Sequence, residues 1–351
     1  MIHDSVLETV GRTPVVRLNR LTMGNGSEIL VKMEGFNPAG SIKDRTALGM
    51  VTRAESDGRL KPDGTIVEST SGNMGKALAM IGAARGYRVV LVTDPKAPRS
   101  MIEFVSALGA ELEIVRTPDE NGGYQEPRRR RVRRLMEEIP DSFWPDQYNN
   151  PDNASTHAEI TARELLDEVP EFDVLVAAVG TGGHISGLSR TLKRERPGVV
   201  TVGVDADGSA AFGYPVGHWA MRGLGIAWPP GNLSPEYVDR VHLVRDHEGM
   251  GTGRMLARSE GLLVGESAGA AVFGALHHAH LAPGARIVVV APDAGVNYLG
   301  ESFDDAWLRE RGIAQRIEAA GLDTPRGLLA AARRPSRRAE PTPRPAGAAR
   351  P

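Results

Sequence analysis

The chain of 351 residues holds no cysteine. That excludes a disulfide framework, a thiolate metal site and a thiol nucleophile. Aromatic residues make up only 5%, and none interleave with the basic runs as a nucleic-acid surface requires. No apolar run reaches the length of a membrane span. Neither charge sign is in marked excess: the formal net charge is −2, which creates no field for a polyanion. The start, "MIHDSVLETVGRTP", lacks the basic and then apolar segments of a secretory signal. These absences together predict a cytoplasmic protein that handles small molecules, with no nucleic-acid or membrane partner.

What is present is an alternation. Short β-rich apolar runs ("EILVKME", "TIVES", "RVVLVTD", "DVLVAAV", "VTVGVD", "RIVVVAP") are separated by helical patterns such as "GKALAMIGAARG" and "HISGLSRTLKRE". Near-continuous apolar strands between helices predict an α/β fold with parallel sheets covered on both faces. The length suits two domains, and there are enough units for two sheets. The polar, turn-rich stretch "FWPDQYNNPDNAS" divides them and is expected to be a domain crossover lining a cleft. The end, "RRPSRRAEPTPRPAGAARP", has no apolar periodicity and is expected to be disordered.

Chemistry concentrates at a lysine and three loops. In "NPAGSIKDR", Lys43 opens a helical stretch, where the positive end of the helix dipole favours acids. The loop Thr70-Ser71-Gly72-Asn73-Met74-Gly75 follows a strand and opens a helix, a place where free N–H groups bind a carboxylate. The alternative is a plain turn with Thr70 or Ser71 as helix cap. Gly180-Thr181-Gly182-Gly183-His184 has the composition of a phosphate cradle. It lacks the lysine of a P-loop and the third glycine of a dinucleotide fingerprint, so a phosphate monoester fits better than a pyrophosphate. In Gly265-Glu266-Ser267-Ala268-Gly269, Ser267 either caps a helix or meets a ligand; both readings stand. A lysine with a monophosphate loop suggests pyridoxal phosphate, whose aldehyde reacts with lysine.

With "VGRTPVVRL", "NPAGSIKDR", "ESTSGNMG", "QYNNPDNASTH", "VGTGGHISG" and "VGESAGAA" in this order, the sequence resembles the fold-type II pyridoxal-phosphate enzymes of the cysteine synthase and cystathionine β-synthase group. The resemblance covers about residues 5–310. It implies a tryptophan synthase β-like α/β architecture of two domains, each a mostly parallel twisted sheet flanked by helices. Residues 1–36 and 146–315 would form a large cofactor-binding domain. Residues 37–145 would form a smaller mobile domain for the substrate carboxylate, and 316–351 a partly disordered tail. Lys43 would hold the cofactor as a Schiff base and later remove the substrate Cα proton. Asn73 would bond the cofactor's ring hydroxyl. Thr70, Ser71, Gly72, Asn73 and Met74 would grip the substrate carboxylate, helped by Gln147. Gly180, Thr181, Gly182, Gly183 and His184 would surround the phosphate, and Ser267 would meet the pyridine nitrogen. The implied reaction is elimination of a β-leaving group to an aminoacrylate, then addition of a nucleophile, in a homodimer.

Four stretches, "TPDENGGYQEPR", "VGVDADGSAAFG", "GLGIAWPP" and "YLGESFDDAWL", are similar to a siderophore-pathway branch of the group. That branch joins O-phospho-L-serine and L-glutamate to give N-(2-amino-2-carboxyethyl)-L-glutamate, a precursor of 2,3-diaminopropionate. The similarity makes Arg128 and Tyr148 substrate-site candidates and Arg222 a weaker one. His184 replaces a smaller side chain, and "GTGG" matches ordinary cysteine synthase, so O-acetyl-L-serine with sulfide or thiosulfate remains open. Two readings outside this chemistry are a non-catalytic partner-binding homologue and a nicotinamide dehydrogenase. Lys43, Asn73 and Ser267 count against the first, and the imperfect glycine fingerprint against the second. The arginines from Arg128 to Arg134 read mainly as a solvated helix face. His277, His278 and His280 read as polar residues at a helix end, with no acid at metal-ligand spacing.

Overall fold

A computed structural model describes residues 2–120 and 122–334, and the backbone of 338–339. The chain forms two compact units, Met1–Gly11 with Asn37–Thr156 and Arg12–Phe36 with His157–Pro351. After a start in the smaller unit, the chain enters the larger one through β1 (Val15–Arg17) and β2 (Glu28–Met33). The smaller unit follows as α1 (Lys43–Ser56), β3 (Thr65–Ser69), α2 (Asn73–Arg85), β4 (Arg88–Thr93), α3 (Arg99–Ala107), β5 (Glu111–Ile114), α4 (Gln125–Glu138), β6 (Ser142–Phe143) and α5 (Asp152–Thr156). Its four strands lie in the order β5-β4-β3-β6, and every pairing is parallel. Hydrophobic clusters cover both faces. One is built on Met50, Leu78 and Leu91, the other on Val67, Val90 and Val132.

Back in the larger unit, a π-helical turn (His157–Thr161) leads into α6 (Ala162–Glu168). Then come β7 (Val174–Ala178), α7 (Gly183–Glu195), β8 (Val200–Ala206), β9 (Arg240–Val244), α8 (Asp246–Glu260), α9 (Glu266–Leu281) and β10 (Arg286–Ala291). The chain continues as α10 (Asp305–Glu310), α11 (Ile313–Ala319), α12 (Pro325–Ala332) and β11 (Arg338–Ala339). The sheet order is β1-β2-β10-β7-β8-β9-β11, parallel except at its two edge pairs. The α/β class expected from the alternation is the one observed. Its cause is visible in β7, where all five residues are buried, as in a sheet covered on both faces. Helix α9 is almost wholly buried, and Gly269 lets it approach α8: a Cβ there would stand 2.3 Å from the Gly249 carbonyl oxygen. Of the segment 316–351 expected to be partly disordered, residues to 334 carry α11 and α12, while 335–337 and 340–351 lie outside the described residues. Among the described residues no helix is long and apolar enough to cross a membrane.

One charge sits inside the larger unit. Lys32, on β2, is 1% exposed. Its ammonium donates to the Thr13 carbonyl oxygen (2.5 Å), to Glu164 (2.6 Å) and to Glu168, both acids on α6. A buried cation is tolerated only when so paired. Lys32→Met is therefore expected to lower unfolding stability by about 3 kcal/mol in a denaturant titration. Adding Glu164→Gln and Glu168→Gln should restore part of that loss, because the two carboxylates then no longer repel.

Candidate active site

In the smaller unit the turn "NPAG" is tied down before α1 begins. Asn37 accepts the Gly11 N–H through its side chain (2.8 Å) and the Gly40 N–H through its carbonyl (2.8 Å). Asp44, fully buried in the first turn of α1, folds back to accept the Ala39 N–H (2.6 Å). The acid that the helix dipole favours is thus Asp44, and the Lys43 backbone N–H goes to Ser41 Oγ (3.1 Å). Lys43 is placed at the helix start by its neighbours' bonds, with its side chain only half-buried.

Strand β3 delivers the next loop to the start of α2. The cap is Gly72, with no side-chain bond to the helix start, so neither Thr70 nor Ser71 caps it. Thr70 Oγ1 accepts the Gly72 N–H instead (3.2 Å). Beside this loop lies a residue that no local motif announces, Glu68. Its carboxyl accepts N–H groups from Ser69 (2.8 Å), the Trp144 indole (3.1 Å) and Gln147 (3.2 Å). Gln147 donates in turn to the Ser69 carbonyl (3.5 Å), and Asn153 holds the Gln147 carbonyl (2.7 Å). Gln147 is thereby held beside Ser69, where the loop of Thr70, Ser71, Gly72, Asn73 and Met74 begins. Burial pushes Glu68 up to about 8, against the pull of its N–H donors.

Arg128 and Tyr148 also belong to the smaller unit. On α4 only the face carrying Pro127, Arg128, Val132 and Leu135 is buried. Arg128 meets Asp94 at 3.0 Å, both side chains 7% exposed. Its Nε is buried with no hydrogen-bond partner among the described residues. Tyr148 is raised by burial and lowered by the Arg128 charge, which places the two within electrostatic reach. The rest of the arginine run mostly faces outward, with Arg131 on Glu113 and Glu138 and Arg133 on Glu126.

In the larger unit β7 feeds the glycine loop into α7. Gly182 is the cap, in a left-handed conformation (φ 80°) that disfavours side chains, and Leu233 packs where a Cβ would lie. No side chain caps α7, so the loop offers backbone N–H groups to an anion. Thr181 and His184 are buried, and His184 stands edge-on to His157 with ring centroids 6.1 Å apart. Glycine also brings Ser267 close: a Cβ on Gly223 would lie 3.0 Å from Ser267 Oγ, and one on Gly180 would lie 3.1 Å from the Gly223 carbonyl oxygen. Ser267 is 1% exposed and Gly265, not Ser267, caps α9. Its hydroxyl has no hydrogen-bond partner among the described residues. An orphaned buried hydroxyl costs about 1–3 kcal/mol unless a ligand meets it. A pyridine nitrogen is such a ligand, and the adjoining glycine loop suits its phosphate, so these residues fit pyridoxal phosphate.

Around Ser267 lies a polar support that sequence reading missed. The Tyr298 hydroxyl donates to Asp293 (2.6 Å), and burial holds that phenol well above its ordinary range. Glu266 accepts the Arg222 N–H (2.6 Å), and burial raises it to about 7. Arg222 itself is engaged by Glu301 (2.7 Å) and by the Tyr298 ring (4.8 Å), which explains it as a local brace. At the end of β8, Asp205 is raised to about 7 by burial and accepts the Ala206 N–H (2.9 Å).

Comparison with known proteins agrees with this chemistry. The profile of the family described as "Pyridoxal-phosphate dependent enzyme" matches residues 6–293. An N-(2-amino-2-carboxyethyl)-L-glutamate synthase of Cupriavidus metallidurans is 36% identical, covering 94% of this chain and 99% of the relative. A cysteine synthase of Staphylococcus aureus is 38% identical over 86% of this chain and 98% of its own length. The solved structure of an O-ureido-L-serine synthase superposes with a TM-score of 0.79 at 35% identity, covering 88% of this chain and 100% of that one.

Two measurements follow from the buried groups. Glu68 holds its proton in the folded state up to about 8 but releases it near 4.5 when unfolded. The folded form binds more protons between these values, so this group's contribution to stability falls as pH rises through them. Glu68→Gln should flatten that part of the melting-temperature profile. Ser267→Ala removes no bond and relieves an unpaired buried hydroxyl, so the cofactor-free protein should melt a few degrees above wild type, not below it. Its affinity for pyridoxal phosphate should drop about fivefold, the worth of one net hydrogen bond, in a fluorescence titration.

Proposed function

Because the chain belongs to the pyridoxal-phosphate dependent enzyme family, we propose that it is a synthase replacing the β-substituent of an activated L-serine with an amine. The substrate assigned is O-phospho-L-serine, with O-acetyl-L-serine as the other carrier, and the amine is that of L-glutamate. The product is N-(2-amino-2-carboxyethyl)-L-glutamate. A Cβ–O bond breaks with release of phosphate, a Cβ–N bond forms, and the glutamate nitrogen loses a proton. Such a product serves 2,3-diaminopropionate supply for a siderophore or another natural product, in a cytoplasmic homodimer.

The cofactor, when bound, supplies an aldehyde that condenses with an amine and a ring that takes up electrons released at Cα. This chain's residues do the rest. Lys43 holds the cofactor through Nζ, and the same nitrogen takes the Cα proton. Backbone N–H groups of Gly180, Thr181, Gly182, Gly183 and His184 hold the phosphate. Ser267 Oγ would donate to the ring nitrogen and, unlike a carboxylate, would not stabilise a proton there, which suits elimination of a β-substituent. Asn73 orients the ring hydroxyl. Thr70, Ser71, Gly72, Asn73 and Met74, with Gln147, hold the substrate carboxylate and help exclude water. Arg128 Nε and the Tyr148 hydroxyl address the leaving phosphate or the second carboxylate of glutamate.

The observation that carries the amine reading is the buried Arg128 guanidinium with its spare Nε donor, alongside the full-length glutamate-using relative. A second reading, cysteine or S-sulfocysteine synthase, is favoured by the "GTGG" loop and the Staphylococcus aureus relative. The deciding assay offers each activated serine with glutamate, sulfide or thiosulfate and weighs the product. O-phosphoserine with glutamate is expected to give the highest kcat/KM. Arg128→Ala should cut that value about 10- to 100-fold, the loss of a bond to a charged group, and Lys43→Ala should abolish turnover. Sulfur products with no glutamate adduct would transfer the assignment to the second reading.

A further inference from the structure

The larger unit contains a cavity of about 240 Å³ lined by none of the residues assigned to the reaction. It lies between β9, the start of α8, the second half of α9 and the α11–α12 segment. Its lining is mixed: His242, Arg245, His247, His277 and Arg334 contribute polar groups, and Phe273, Leu322 and Ala331 contribute apolar surface beside them. His277 and His278 stand near the end of α9, as the sequence suggested, but both are buried, while His280 is exposed. His242 and His277 are buried, with ring centroids 4.9 Å apart, and Phe273 lies edge-on to His242 at 6.1 Å. His277 Nδ1 donates to the Ala332 carbonyl oxygen (2.8 Å), which fixes the ring and leaves Nε2 as its other polar atom.

The charges around the cavity are unequal. Arg245 and Arg334 bring two guanidiniums against one acid, Glu248. That acid is engaged by the start of α8, where it accepts the Arg245 N–H (2.8 Å). Arg245 is held only loosely, its Nε 3.7 Å from Asp207. Burial, followed by the charges of Arg245 and Arg316, lowers the pKa of His247 and keeps its ring neutral. Among the described residues no group of three or more His, Asp or Glu is placed to hold a metal ion. With two arginines and apolar surface in one lining, and smaller than pockets for drug-sized ligands, the space suits a molecule of a few carbons with one oxyanion.

We propose that this cavity binds a small carboxylic acid with a short apolar body, its carboxylate against Arg245 and Arg334 and its carbon chain against Phe273, Leu322 and Ala331. The site is separate from the reaction assigned above and does not depend on it. An occupant would press on α9, whose other end carries Ser267. Ten residues separate Ser267 from His277, about 15 Å of helix.

The test is calorimetric titration of isovalerate into the holoenzyme, with phosphate and chloride arms at equal ionic strength. Isovalerate is expected to bind one saturable site and to shift the His277 imidazole resonances. Arg245→Ala with Arg334→Ala should weaken it at least tenfold, a loss that a site at the substrate loop would not show. The proposal is overturned if isovalerate does not bind, if the double variant binds it as wild type does, or if the His277 resonances do not move. Equal binding of phosphate would overturn the carboxylate assignment.

Discussion

Backbone N–H groups at the start of a helix have no partner within that helix, and something must bond them. In this protein several helices leave that requirement unmet by any side chain at the cap position. Helices α2, α7 and α9 are among them. Two of them, α2 and α7, follow directly from buried parallel strands, where open α/β sheets present their ligand sites. Glycines hold the starts open. A side chain at Gly182 would strike Leu233, and a Cβ at Gly265 would stand 1.9 Å from Asp293. The chemistry assigned to these loops follows from leaving helix starts to be bonded by anions and a ring nitrogen rather than by serine and aspartate caps.

The loops themselves were legible because their information is local. A strand pattern, a glycine pair and a helix pattern lie within a dozen residues, so the spacing alone indicates a glycine loop running from a strand into a helix start. The same holds for the alternation that gave the α/β class. Ser267 was ambiguous in sequence because a serine two residues into a helix looks like a cap. The structure gives that role to Gly265 and leaves the hydroxyl without a partner.

What was not legible depends on pairs distant in sequence. Glu68 gathers groups from Trp144 and Gln147 only because β3 and the segment after β6 become neighbours. Arg128 was singled out of a run that reads mainly as solvated, but its partner was not legible: α4 turns one face to the sheet and Asp94 waits there. His277 and His278 end up inside because α9 is buried on all sides. Periodicity identifies such a helix but does not say which distant strand will lie against it.

The three carboxyls raised by burial alter the molecule's behaviour as a charged particle. The formal charge of −2 counts every acid as ionised. With Glu68 at about 8 and Asp205 and Glu266 at about 7, the folded chain retains about two extra protons at neutral pH. The folded chain is then less negative than the formal count, so it should migrate toward the anode more slowly than that count implies. Mutual repulsion between copies would be weak, which makes the salt content of a concentrated solution a first-order control on whether they stay dispersed.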